Sequence, residues 1–238
     1  MRTEFPGFPP EAMSFFRGLK RNNNREWFQA RKPVFDEKVR APMERLVDAI
    51  NAAMVKFAPD YVTEPGKAIY RIYRDTRFSR DKIPYKTQIA AVFSRRGLSK
   101  NGSAGLYFSV SPEEIEVAGG VYMPSPEQLL AIRNYLAEQH SEFRRILARK
   151  GSRTLMGGLW GEQLSRIPKG FPASHPAEDL LRYKQWLVYV MLDAGIATTP
   201  DLTREIVTRF RAMTPFVEFL NRPLSRVRKE MNVENFFV

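Results

Sequence analysis

The spacing of apolar residues changes period twice along the chain. In the first third they recur every three or four positions: Met13, Phe16 and Leu19, then Trp27, Phe28, Phe35, Val39, Met43, Leu46, Val47, Ile50 and Met54. That is the period of a buried helix face. Residues 68–75, 88–94, 105–111 and 114–122 are instead short, rich in Ile, Val, Phe and Tyr, and separated by turn-formers, which predicts strands. Helical spacing returns after Ser125. The order helices, strands, helices predicts an α+β fold, with an antiparallel sheet in the middle of the chain covered by N-terminal and C-terminal helices. We expect a single α+β domain over residues 1–222 and a basic C-terminal tail over 223–238, with Phe236, Phe237 and Val238 as its apolar end.

Local signals place the boundaries. Pro9-Pro10-Glu11 suits a helix start, because proline at the first position loses no N–H that the helix needs. The cluster Asn22-Asn23-Asn24 ends that helix and offers a cap for the next, where Trp27 and Phe28 pack into the core. Pro33 and Pro42 predict a kink or break in the long helical stretch that runs to about Lys56. Ser111-Pro-Glu-Glu114 is a turn of hairpin length, and Gly119-Gly120 predicts a bulge or a close backbone approach. Ser125-Pro-Glu-Gln128 is a capping box, and a further helix is expected from Ser141. Residues 151–176, with five Gly and three Pro, read as an irregular connection. The last long helix starts near Thr199-Pro-Asp-Leu and runs toward Leu220, disturbed at Pro215.

Composition narrows the chemistry. Without cysteine there are no disulfides, thiolate metal sites or cysteine nucleophiles. His140 and His175 are the only histidines, too few for a histidine-held zinc or iron centre; a carboxylate-held magnesium stays open. No metal or cofactor is expected. No apolar run reaches the ~18 residues of a membrane helix, and the N-terminal residues lack a secretory segment. The expectation is a cytoplasmic protein with no membrane partner.

The net charge is +12, and residues 71–100 hold nine Lys or Arg against Asp75 and Asp81. More than half the excess therefore sits in one eighth of the chain, and a field that concentrated attracts anions. Within it, Arg71, Arg74, Arg77, Lys82 and Lys86 supply charge, Tyr73 and Tyr85 shape a pocket, and Asp75 and Asp81 orient the basic groups. If 69–75 is a strand, Arg71 and Tyr73 share one face and Tyr70, Ile72 and Arg74 the other. Arginine suits planar contacts to carboxylate or phosphate. The predicted partner is a small phosphate- or carboxylate-bearing ligand. A structural reading competes with it, in which the aspartates and arginines form an ion-pair lattice that fixes the loop.

Other chemistries use the same residues. An enzyme would take Asp75 or Asp81 as general base, with the arginines stabilising developing negative charge. A nucleic-acid-binding protein would use the whole basic surface of 71–100. The segment has no G-x-x-x-x-G-K pattern, and the chain has no G-x-S-x-G elbow. Arg166-Ile-Pro-Lys-Gly-Phe-Pro-Ala-Ser-His-Pro176 is a further candidate, from which Lys169 and His175 would close the site.

Three blocks stand out together: Asn23-Asn-Arg-Glu-Trp-Phe28, Arg71-Ile-Tyr-Arg-Asp-Thr-Arg-Phe-Ser-Arg-Asp-Lys-Ile-Pro-Tyr-Lys-Thr87, and Pro168-Lys-Gly-Phe with His175-Pro176. The set resembles an uncharacterised bacterial family, domain of unknown function 2461. The likeness runs from about Phe5 to Leu220 and implies one α+β domain across the chain. It implies no activity and no catalytic residue.

Overall fold

Proline opens the first helix, α1 (Pro10–Arg21), and its buried face is Ala12, Met13, Phe15, Phe16 and Leu19. In the computed structural model, residues 4–77, 81–98, 100 and 102–234 are described, the last nine of them as backbone. Asn24 caps α2 (Arg25–Ala30) by accepting from the Trp27 N–H. The expected breaks at the prolines appear in graded form. The chain pauses at Arg31, makes the short α3 (Lys32–Val34) around Pro33, widens into a π-helical turn (Phe35–Arg40) and tightens into α4 (Ala41–Met54). Pro42 accounts for the widening. It has no N–H to give and its ring crowds the preceding turn, so the Ala41 N–H reaches back to the Asp36 carbonyl, one residue further than an α-helical bond.

After the short α5 (Pro65–Ala68) come β1 (Ile89–Ser94), β2 (Gly105–Val110) and β3 (Glu114–Val121). The hairpin expected at Ser111 is present. Its Oγ accepts from the N–H groups of Glu113 and Glu114, and the Ser111 N–H bonds the Glu114 carbonyl at 3.1 Å. Three strands become five in the order β1-β2-β3-β5-β4, all antiparallel, with β4 (Leu159–Trp160) and β5 (Trp186–Asp193) arriving from later in the chain. The longest apolar run of the sequence, residues 186–192, is thus a strand. The fold is α+β, an antiparallel sheet flanked by N-terminal and C-terminal helices. No helix among the described residues is long and apolar enough to cross a membrane.

One expected strand is absent. Residues 68–75 make only isolated bridges, Ile69 with Ala91 and Tyr73 with Tyr85. Between these bridges one side advances four residues and the other six. Two residues of the 85–91 side therefore have no opposite number, and a continuous ladder cannot form. The segment nevertheless stays extended, bonded through Tyr70 N–H to Ala90 O, Lys86 N–H to Ile72 O and Arg74 N–H to Pro84 O at 2.8–2.9 Å.

The chain sorts into two compact units, each made of several stretches. The first takes residues up to Phe93, Tyr107–Val117 and Met191–Thr208; the second takes Ser94–Leu106, Ala118–Val190 and residues from Arg209 on. The first unit buries α1, the inner face of α4 (Met43, Leu46, Val47, Ile50) and the sheet residues Phe93, Phe108, Ile115 and Val117. In it, Asn51 bonds both the N–H and the C=O of Thr63, at 3.1 and 2.7 Å.

The second unit is built on α6 (Pro126–Leu147) and the greater part of α9 (Asp201–Glu234). Ser125 and Gln128 form the capping box. The separate helix expected from Ser141 is the continuation of α6 beyond a break at Gln139, whose backbone leaves the helical region (φ −115°, ψ 22°). Phe143 packs between Phe216 and Phe219, 5.5 and 5.1 Å away. Helix α9 passes through Pro215 and continues beyond Leu220 to Glu234; the apolar end at 236–238 lies outside the described residues. The irregular 151–176 connection contains α7 (Ser152–Met156) and leads through β4 to α8 (Glu178–Leu181). Arg133 is buried and organises this region by donating to the carbonyls of Leu181 and Tyr183, at 2.9 and 3.0 Å. Gly120 fulfils the expected close approach, because a Cβ there would stand 2.1 Å from the Trp186 carbonyl oxygen.

Candidate functional site

The Arg71–Lys86 segment turns back on itself in the first unit, and most of its charges meet within it. Arg77 grips Asp75 through two parallel bonds, Nε to Oδ1 at 3.0 Å and Nη2 to Oδ2 at 2.8 Å, and its own N–H adds a third. Arg74 Nη1 reaches Asp81 Oδ2 at 2.8 Å, while Asp81 Oδ1 accepts from the Ile83 N–H. Lys82 Nζ donates to the Thr76 carbonyl at 2.9 Å. The Arg77 side chain and backbone N–H hold the Asp75 carboxyl down to about 2. The Ile83 N–H, then Arg74, lower that of Asp81. Both remain ionised at neutral pH, as parts of an ion-pair lattice. Phe78, Ser79 and Arg80, at the tip of the expected loop, lie outside the described residues.

Tyr85 is only 2% exposed. Its ring stacks on Phe28 at 4.2 Å, tilted by 17°, and meets Tyr73 at 5.3 Å. It therefore belongs to an aromatic cluster that α2 and the π-helical turn complete, with Phe28 and Phe35 5.4 Å apart. Asn23 fastens the backbone of the same residue: its Nδ2 donates to the Tyr85 carbonyl at 3.0 Å, and its Oδ1 accepts from the Tyr85 N–H at 3.1 Å. Lys86 lays its ammonium over the Tyr70 ring, 5.0 Å from the centroid.

Beside this scaffold lies a cleft of about 230 Å³. Its apolar lining is Phe28, Phe35, Ile69, Ile72 and Ile89, with Tyr70 and Tyr73 added; its charges are Lys32, Arg40, Arg71 and Asp36. Lys32 pairs with Asp36, and Arg40 with Glu44 at 3.1 Å. Arg71 is exposed and makes no hydrogen bond or ion pair among the described residues, although its field reaches Asp75. Three cations against one acid give the cleft an excess of positive charge.

The eleven candidate residues thus part company. Arg71 and Tyr73 line the cleft. Arg74, Asp75, Arg77, Asp81 and Lys82 hold the loop together, Tyr85 is in the core, and Lys86 covers Tyr70. Lys169 and His175 belong to the second unit. Lys169 is exposed, while His175 Nδ1 accepts from the Ala177 N–H at 3.0 Å and its ring meets that of His140 at 6.1 Å. Sequence reasoning missed Lys32, Asp36 and Arg40. Their spacing of four residues puts them on one helical stripe, but such a stripe reads as a solvated surface until something concave is set beside it. Among the described residues no group of three or more His, Asp or Glu is arranged to hold a metal ion.

Residues 11–219 match the model of the family described as Conserved hypothetical protein (DUF2461), and the chain belongs to that family. No curated protein and no solved structure matches the chain.

Proposed function

We propose that the first unit binds a small ligand bearing a phosphate or carboxylate group, with the anion seated at Arg71. The observation that carries this reading is the contrast between Arg71 and its neighbours. Arg74 and Arg77 have carboxylate partners within their own loop, whereas Arg71 lines a concave, aromatic-walled space with no such partner among the described residues. A guanidinium offers a planar fork to a carboxylate or phosphate, and Tyr73 stands beside it to contact the body of the ligand. Lys32 and Arg40 add charge to the same cleft.

In this reading the central segment plays two parts. Its lattice of Asp75, Arg77, Arg74 and Asp81 stiffens the loop, and its first arginine meets the ligand. Carboxylates held ionised by donors are weak bases, which favours binding over catalysis through either aspartate. Lys and Arg engaged inside the loop also leave fewer contacts for a polynucleotide backbone, which favours a small ligand. The reading is of a cytoplasmic protein that meets anionic metabolites there.

A thermal-shift titration with pyrophosphate and citrate tests it. Both are expected to raise the melting temperature of the wild-type chain, and Arg71→Ala is expected to abolish the rise. An equal rise in the Arg71→Ala variant overturns the proposal.

A further inference from the structure

The hairpin β2–β3 presents a second group of polar side chains in the first unit, which shares only Tyr70 with the lining of the cleft. Counting back from the Ser111–Glu114 turn, Ser109 lies opposite Glu116, and Tyr107 is two residues along the same face. The Tyr107 hydroxyl is held by Ser109 and by Gln88, whose Nε2 donates to it at 3.4 Å. Tyr70 brings its ring to 6.3 Å from that of Tyr107. Ser109 and Ala90 beside them are almost fully buried.

Glu116 is the anomaly in this group. Asp36, Glu44, Asp75, Asp81 and Glu113 each hold an internal cation. Glu116 is half-buried, yet it makes no hydrogen bond or ion pair among the described residues, in a chain with twelve surplus positive charges. Its carboxylate is close enough for its charge to act on the Tyr107 hydroxyl. A half-buried carboxylate left without a donor costs free energy unless something from outside supplies one.

We propose that Glu116, Ser109, Tyr107 and Tyr70 form a second binding site, which takes a primary ammonium group. Each part suits that chemistry. The carboxylate accepts from the N–H bonds of an alkylammonium, and the tyrosine faces favour a cation over them. The chain itself shows the affinity of one of these rings for an ammonium, because Lys86 Nζ lies over Tyr70. An anion is disfavoured by Glu116, which separates this site from the one proposed at Arg71. Burial raises the Glu116 carboxyl above its ordinary value, so a proton competes with an arriving ammonium for it.

The probe is n-butylammonium, with butyrate and butanol as the anionic and neutral counterparts, followed by amide NMR shifts of residues 107–110 and 114–117 in the full chain. Butylammonium is expected to shift these amides, more strongly as pH rises from 5 to 7, and the two counterparts are not. Glu116→Gln keeps the shape and removes the charge; it should weaken the response about tenfold or more, the factor expected when a charge-assisted hydrogen bond is lost. Glu114→Gln, on the exposed neighbour whose charge also acts on Glu116, should change the response far less than Glu116→Gln does. Arg71→Ala should also leave it unchanged, so the two sites stand or fall separately. An undiminished response in Glu116→Gln, an equal response to butanol, or no response to butylammonium at tens of millimolar overturns the proposal.

Discussion

Asn23 bonds both backbone groups of Tyr85, as a neighbouring strand residue would, across 62 positions of sequence. The pairing joins two of the three sequence blocks on which the family resemblance rests, the one at 23–28 and the one at 71–87. Phe28 reinforces it by stacking on the ring of the same tyrosine. Replacing the amide by a methyl group in Asn23→Ala leaves a part-buried N–H and C=O without partners. The expected loss is about 1–3 kcal/mol of unfolding free energy, measured by urea titration. Asn23→Asp keeps the acceptor and loses the donor, and should fall between the two.

Arg71 and Arg74 should separate cleanly on substitution. Neither side chain is a core residue, and the Arg74–Asp81 pair is partly solvated, so each alanine variant should lie within about 1 kcal/mol of the wild type in stability. Ligand response is where they differ. Arg71→Ala should lose the pyrophosphate-induced shift, whereas Arg74→Ala should retain most of it. Loss in both to the same degree would show that the lattice, and not the free guanidinium, holds the anion.

Acid should loosen the loop in a defined window. The Asp75 carboxyl is lowered from an ordinary 3.8 to about 2. Its contribution is therefore complete above pH 3.8 and is lost as the pH falls toward 2. The hydrogen-exchange protection factor of the Arg77 amide, whose N–H donates to Asp75, should fall across that interval and stay flat between pH 5 and 7.

Glu116 should show the opposite dependence. Burial raises its carboxyl above the ordinary 4.5, so the stability linked to its proton is present below that pH and disappears as pH rises through the raised value. Glu116→Gln should then match the wild type at pH 4 and melt at a higher temperature than the wild type at pH 7.5. Calorimetry at the two pH values reads the difference directly.

Gly120 should tolerate no side chain. Its φ of +132° lies where L-residues are strained, and a Cβ would meet the Trp186 carbonyl at 2.1 Å. Gly120→Ala should cost roughly 4 kcal/mol or more, in the exceptional range for one methyl group, and appear as a loss of soluble, cooperatively unfolding protein.

The legible part of the chain follows local physics. Proline at the start of α1, the Asn24 cap, the capping box at Ser125 and the Ser111 turn all act within four residues, and each is found where the residues imply it. The prolines at 33 and 42 announced a disturbed helix, though not that a π-helical turn would absorb it. The alternation read over 70–74 holds as burial, with Ile72 in the core and Arg71 and Tyr73 exposed. It fails as a strand because a ladder also needs a partner in register, and the 85–91 side carries two residues too many.

The sequence by itself determined the α+β class, the family and the place where positive charge is concentrated, since period, motif and charge are all written in neighbouring residues. Only the tertiary structure decided what each charge does. Arg71, Arg74 and Arg77 are indistinguishable as letters spaced three apart. Whether a guanidinium meets an aspartate of its own loop or lines a cleft depends on side chains brought from elsewhere: Lys32, Asp36 and Arg40 at the cleft, and Asn23 and Phe28 fixing the loop behind it. An ion pair or a cleft is a relation between distant residues, and local spacing does not encode it.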